Sequence, residues 1–137
     1  MLSAKPILLI EDDDVDILSL KRAFRELTIS NPLKSVTNGE DALSYLINKN
    51  NELPGLIILD MNMPRMNGIE LLKQLKSSPV FKLIPVIILT TSSNSSDVKN
   101  AYESQVAGYM IKPIDFDEFK RMILHIYNYW GVSVLPY

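Results

Sequence analysis

No cysteine occurs among the 137 residues and histidine occurs once. Disulfide scaffolds, thiolate zinc sites and cysteine nucleophiles are therefore excluded, and any metal must be held by oxygen. Glycine is sparse as well: Gly39, Gly55, Gly68, Gly108 and Gly131 lie far apart and form neither a Walker loop nor a dinucleotide fingerprint. Basic residues are not in excess, since 14 Lys and Arg stand against 16 Asp and Glu, for a formal net charge of -2. Without a broad basic surface to neutralise a phosphate backbone, nucleic-acid binding is not expected. Long apolar runs are missing too. Ile7 to Ile10, Leu56 to Leu59 and Val86 to Leu89 fall far below the roughly 20 residues needed to cross a bilayer. The first of them is followed at once by acidic residues, which does not fit a secretory signal. A cytoplasmic protein without membrane association is expected. The single histidine, His125, has no serine or cysteine pattern beside it that suggests a triad, and is read as structural or surface.

What is present is an ordinary globular balance, 47% hydrophobic and 22% charged, with no break in composition and no repeat. One domain spanning 1–137 is expected, ending in a short apolar extension from about residue 130. Four short runs rich in Ile, Leu and Val (Ile7 to Ile10, Leu56 to Leu59, Val86 to Leu89, Tyr109 to Ile111) alternate with longer amphipathic segments, and a weaker run, Leu33 to Thr37, supplies a fifth strand. Continuous apolar strands are buried on both faces, so the fold class is α/β with a parallel sheet covered by helices on each side. Ile17, Leu20, Phe24 and Leu27 mark the first helix, and Phe119, Met122, Ile123, Ile126, Tyr127 and Trp130 the last. Thr37 with Glu40, Asn67 with Glu70 and Asp115 with Glu118 have the spacing of helix-start pairs. Thr90 to Ser96 reads as a polar loop and Pro64 as a turn former.

Ligands bind open parallel sheets beyond the carboxyl ends of the strands. In this chain that edge receives Glu11, Asp12, Asp13 and Asp14 after the first strand, Asp60 after the third, Thr90 and Thr91 after the fourth and Lys112 after the fifth. Carboxylates gathered there repel by about 4 kcal/mol per pair at 4 Å and an effective dielectric of 20. A hard divalent cation offsets this, and Mg²⁺ suits one or two carboxylates, waters and phosphate oxygens. Lys112 offers a second positive charge.

The acidic cluster after the first strand, the run LDMNMPRMNG at 59–68, Thr90 closing the fourth strand and GYMIKP at 108–113 together resemble the receiver domain of two-component response regulators, the CheY-like family. The resemblance implies a doubly wound, five-stranded parallel sheet in order 2-1-3-4-5 with five helices, and a phosphoryl acceptor at Asp60. It places Asp12, Asp60 and the backbone carbonyl of Asn62 on Mg²⁺ (or Mn²⁺), with Glu11 acting through water. Lys112 and Thr90 would engage the phosphoryl group, Tyr109 would be the aromatic switch, and Pro113 would follow a cis bond. Asn62 and Ser92 would set the lifetime of the acyl phosphate, giving slow to moderate self-hydrolysis. Such a protein assists its own modification and is otherwise not an enzyme. The implied partner is a sensor histidine kinase or phosphotransfer protein.

The ending YWGVSVLP, the loop near Asn48 to Pro54 and the TSS stretch are similar to the stand-alone regulators paired with bacterial phytochrome histidine kinases. The apolar tail residues Tyr129, Trp130, Val132, Val134, Leu135 and Tyr137 suggest either packing onto the core or a contact with another chain. A homodimer would use the fourth helix, the fifth strand, the last helix or this tail. Two alternatives are weighed beside the phosphoacceptor: a receiver fold that binds partners without phosphorylation, and a phosphohydrolase with an aspartyl-phosphate intermediate. The second needs an acid/base two positions after Asp60, where Asn62 stands.

Overall fold

The computed structural model describes residues 4–63 and 66–137, so the turn expected at Pro64 lies outside the described residues. Strand and helix alternate: β1 (Ile7–Ile10), α1 (Asp14–Glu26), β2 (Leu33–Val36), α2 (Gly39–Ile47), β3 (Leu56–Leu59), α3 (Gly68–Ser77), β4 (Val86–Thr90), α4 (Ser95–Glu103), β5 (Gly108–Ile111) and α5 (Phe116–Val132), with a 3-10 turn over Phe81–Leu83. All strand pairs are parallel and the order is β2-β1-β3-β4-β5. The expected strand runs are present, with β2 one residue shorter and β4 and β5 each one residue longer.

The apolar runs have no polar alternation because both faces of the sheet are covered. Leu8, Ile10, Ile57, Leu59, Val86 and Ile88 point to one face and pack with Leu71, Leu72 and Leu75 of α3, Ala42 of α2 and Ala101 of α4. Their sequence neighbours Ile7, Leu9, Leu56, Ile58, Ile87 and Leu89 point the other way, onto Leu20 and Phe24 of α1 and Ile123 and Ile126 of α5. Two cores thus fix the strand ends in register, which is what brings the residues after each strand to one edge.

Helix starts follow the expected chemistry at two of three places. Asn67 accepts from the Glu70 amide and Asp115 from the Glu118 amide. At α2 the cap is Asn38, accepting from Asp41 N–H at 2.8 Å, rather than Thr37; a short amide acceptor caps a helix better than a β-branched hydroxyl. α4 begins at Ser95 behind the Asn94 cap, so the last residues of the expected Thr90 to Ser96 loop are helical. α1 and α4 both close through non-glycine residues with positive φ, Thr28 at 57° and Gln105 at 67°. Each sends the next amide back to the helix, Ile29 to Phe24 O and Val106 to Ala101 O, and each buries that next residue.

The tail does fold back in part. Leu135 is buried, the Tyr137 hydroxyl donates to Pro54 O at 2.7 Å, and Lys5 Nζ lies 5.2 Å from the Tyr137 ring centroid. Burial pushes the Tyr137 hydroxyl up to about 12. Tyr129, Val132 and Val134 remain exposed. Beside them a groove of about 630 Å³ runs between β5 and α5, lined by Met110, Met122, His125, Tyr129 and Trp130 among others. Among the described residues no helix is long and apolar enough to cross a membrane.

Candidate functional site

The sheet's carboxyl edge is built by backbone pairing. Glu11 N–H bonds Val36 O, Asp60 N–H bonds Ile10 O and Lys112 N–H bonds Thr90 O, each a continuation of the ladder by one residue. These bonds hold the α-carbons of three functional residues before their side chains do anything. Glu11, Asp60 and Thr90 are buried, Asp12 is exposed, and the Lys112 side chain is only 9% accessible.

One oxygen from each of Glu11, Asp12 and Asp60 falls within 4.8 Å of the others. Lys112 Nζ donates to Glu11 Oε1 at 2.5 Å and to Asp16 Oδ2 at 2.8 Å, and stands 3.9 Å from Asp60 Oδ1. Glu11 Oε2 also accepts from the amides of Asp12 and Asp13. The sequence-predicted acidic pair, Asp60, Thr90 and Lys112 are thereby brought to one pocket. Asp16 was not anticipated there. Its signal lay in the acidic run Glu11 to Asp16, whose last member reaches Lys112 because α1 begins at once and turns it back over the strand ends. Asp13 caps that helix, accepting from Val15 and Asp16 amides.

The expected cis bond at Pro113 is corrected: the described chain has no cis peptide. Lys112 is already aimed by its amide's bond to Thr90 O, so the more stable trans isomer suffices. Tyr109 is half-buried, and its hydroxyl donates to Ser92 O at 2.8 Å. Ser92 Oγ donates to Asp97 Oδ2 at 2.6 Å, tying this loop to α4. Asn62 is exposed beside the pocket.

Three carboxylates, those of Glu11, Asp16 and Asp60, thus stand around one ammonium, and a fourth, Asp12, lies beside Glu11 and Asp60. Burial pushes the Glu11 carboxyl up to about 7; Lys112 pulls it back, and the Asp60 charge adds to the rise. Asp60 is raised for the same leading reason, against the pull of Lys112, Glu11 and Thr90. For Lys112 burial acts downward, but the bonds to Asp16 and Glu11 and the charges of Glu11 and Asp60 outweigh it, and the ammonium is held above its usual range. The surplus of hard anionic oxygen fits a divalent cation.

That electrostatic surplus gives a testable pH dependence. A carboxyl raised from 4.5 to about 7 on folding binds its proton more tightly in the native state. Its contribution to stability is therefore complete below pH 4.5 and lost as pH rises through 7. In chelator-treated protein, the urea-unfolding free energy of wild type relative to Glu11→Gln is expected to fall between pH 5 and pH 7.5 by up to about 3 kcal/mol. A difference that is flat or rises over this window contradicts the assignment.

Comparison with known proteins agrees with this geometry. Residues 7–124 match the family model of the response regulator receiver domain. The probable methanogenesis regulatory protein FilR2 of Methanothrix harundinacea is 36% identical over 127 residues, covering 90% of this chain and 82% of that one. The response regulator Rcp1 of Synechocystis sp. is 35% identical over 134 residues, covering 95% and 91%. The Mn²⁺-bound crystal form of Rcp1 superposes with a TM-score of 0.88 at 34% identity over 97% of this chain and 99% of that one. The phosphorylated cyanobacterial phytochrome response regulator RcpA superposes with a TM-score of 0.91 at 32% identity, covering 98% and 100%. With the fold order, the strand-end acidic cluster and the match over residues 7–124 in agreement, this chain belongs to the response regulator receiver domain family.

Proposed function

We propose that this chain is a cytoplasmic phosphoacceptor of a two-component phosphorelay, taking a phosphoryl group on Asp60 from a sensor histidine kinase or phosphotransfer protein and signalling by protein contact. The observation that carries this reading is the convergence of Asp60, the acidic pair and Lys112 in one pocket. An Asp60 carboxylate oxygen attacks phosphorus while the donor's P–N bond breaks and its electron pair stays on the imidazole nitrogen. No general base is required, because the nucleophile has no proton to lose. Lys112 is close enough to meet a phosphoryl oxygen on Asp60 after a small side-chain shift. Asp12, Asp60 and the Asn62 carbonyl would hold a Mg²⁺ or Mn²⁺, with Glu11 acting through water, and that ion would supply neutralisation of the phosphoryl oxygens. The Mn²⁺-bound form of Rcp1 and the phosphorylated form of RcpA support this by similarity.

The switch follows from one short stretch of loop. Thr90 Oγ1 accepts from the Ser92 amide at 3.4 Å, and Ser92 O accepts from Tyr109. Drawing the Thr90 hydroxyl toward a phosphoryl group disturbs the loop on which the tyrosine is anchored, and the change reaches α4, β5 and α5. Asn62 and Ser92 set the acyl-phosphate lifetime; Ser92, occupied with Asp97, does not orient water, and slow to moderate hydrolysis is expected. A homodimer would use the exposed apolar face around Tyr129, Val132 and Val134.

The decisive experiment is intact-mass measurement after incubation with acetyl phosphate and Mg²⁺. One phosphoryl increment is expected; none would refute the proposal. A general phosphate ester such as p-nitrophenyl phosphate should not be turned over, since Asn62 occupies the position where a phosphohydrolase needs an acid/base.

The donor's route is marked by two exposed apolar side chains, Val15 and the fully exposed Ile114, which line a hollow of about 270 Å³ together with Lys112 and Phe116. Ile114→Asp is expected to lower the ratio of transfer from a phosphohistidine donor to uptake from acetyl phosphate about thirtyfold, one hot-spot contact's worth. Parallel rate measurements with the two donors decide this, and an unchanged ratio removes Ile114 from the docking surface.

A further inference from the structure

The ammonium of Lys112 has three protons, and three carboxylates compete for it. Glu11 and Asp16 hold it by hydrogen bonds of 2.5 and 2.8 Å, while Asp60, at 3.9 Å, lies beyond hydrogen-bond reach. Glu11 is a buried neighbour of Asp60 on the strand edge. Asp16 comes from elsewhere: it sits in the first turn of α1, its side chain is 37% accessible, and its amide is pinned by the Asp13 cap at 3.1 Å. The turn that bears it is therefore fixed, and the lysine is held toward the helix rather than toward the nucleophile.

Taking Asp60 as the phosphoacceptor, as proposed above, we infer that Asp16 is a positioning residue: a latch that keeps Lys112 drawn toward α1 in the unmodified protein and yields it when a phosphoryl group arrives on Asp60. The latch is weak by construction. A partly exposed ion pair is screened by water and contributes little, whereas a phosphoryl group brings more than one negative charge and several strong acceptor oxygens to the inner end of the lysine's reach. The lysine is thus parked within a small side-chain movement of its working place, at a cost the phosphoryl group can meet. Releasing the latch in advance should raise the affinity for anything that resembles the phosphoryl group.

Beryllofluoride, in the presence of Mg²⁺, is the probe, and its half-saturating concentration is the readout, followed by the amide spectrum of the full chain. Asp16→Asn is expected to tighten beryllofluoride about three- to fivefold, the range that an exposed pair's energy allows. Asp16→Glu, which keeps the charge and has the reach to regain Lys112, should stay close to wild type. Asp14→Asn serves as the control for charge and helix dipole: Asp14 lies in the same exposed first turn, and it is not among the ion-pair partners of Lys112. Its substitution should leave the affinity near that of wild type. If Asp16→Asn binds beryllofluoride no more tightly than wild type, or if Asp14→Asn tightens it equally, the latch is refuted while the phosphoacceptor reading stands. If wild type neither binds beryllofluoride nor takes up a phosphoryl group from acetyl phosphate, the phosphoacceptor reading fails, and the latch with it.

Discussion

Asp60→Asn takes up no phosphoryl group in the expected outcome, and without metal it unfolds at higher urea than wild type. The first half follows from chemistry: an amide oxygen is too poor a nucleophile to displace the donor, and no other carboxylate in the pocket is both buried and set beside Thr90 and Lys112 as Asp60 is. The second half follows from charge. The pocket gathers Glu11, Asp12 and Asp60 and sets Glu11, Asp16 and Asp60 around Lys112, and burial already drives Asp60 and Glu11 toward their protonated forms. An isosteric neutral group removes one of the repelling charges at no cost in volume. Lys112 keeps its two hydrogen-bonded partners, Glu11 and Asp16. A gain of about 1–2 kcal/mol at pH 7.5 is expected, and Mg²⁺, expected to stabilise wild type, should stabilise this variant much less. Urea titrations with and without Mg²⁺, paired with intact-mass measurement, provide the check. A less stable variant would mean that the pull of Lys112 on Asp60 exceeds the repulsion among the carboxylates.

Gly68→Ala should cost about 2–3 kcal/mol and distort the pocket, although Gly68 is the first residue of α3. Helix propensity alone predicts the reverse sign, since alanine is favoured over glycine by about 1 kcal/mol in a helix interior. The difference lies in what a β-carbon would meet: Asp60 O at 2.7 Å and Met61 Cα at 2.9 Å. Both are backbone atoms, so no side chain can rotate away, and α3 must retreat from the strand end or the 60–61 peptide must move. Either movement strains the Gly68 amide's bond to Met61 O at 3.0 Å and shifts Asp60 relative to Lys112. Urea unfolding gives the stability change, and the rate of uptake from acetyl phosphate should fall with it. A variant as stable as wild type would show that the loop has room to adjust.

How far the sequence alone reached follows from which forces act locally. The strands were readable because burial on both faces leaves unbroken Ile, Leu and Val runs, and their common edge then assembled Glu11, Asp12, Asp60, Thr90 and Lys112 without further information. The cap of α2 was misplaced by one residue because Thr37 and Asn38 are adjacent and both are competent acceptors; only the backbone geometry selects between them. Asp16 was illegible for a different reason. It pairs across 96 positions with Lys112, and an acidic residue in the first turn of a helix already has an ordinary explanation in the helix dipole. The bond before Pro113 was expected to be cis by resemblance alone, and the ladder bond from Lys112 to Thr90 shows what aims the lysine instead. The close approach at Gly68 was also hidden, since a glycine after an Asn cap carries no sign of which peptide lies against it.

Trp130, the sole tryptophan, stands edge-on to Tyr129 with ring centroids 5.0 Å apart, in the groove between β5 and α5. Its emission is therefore a label-free optical gauge of that face alone. A spectral shift on adding beryllofluoride would report that an event at the pocket has travelled across the fold to α5, and a concentration-dependent blue shift would report that a second molecule has covered the indole.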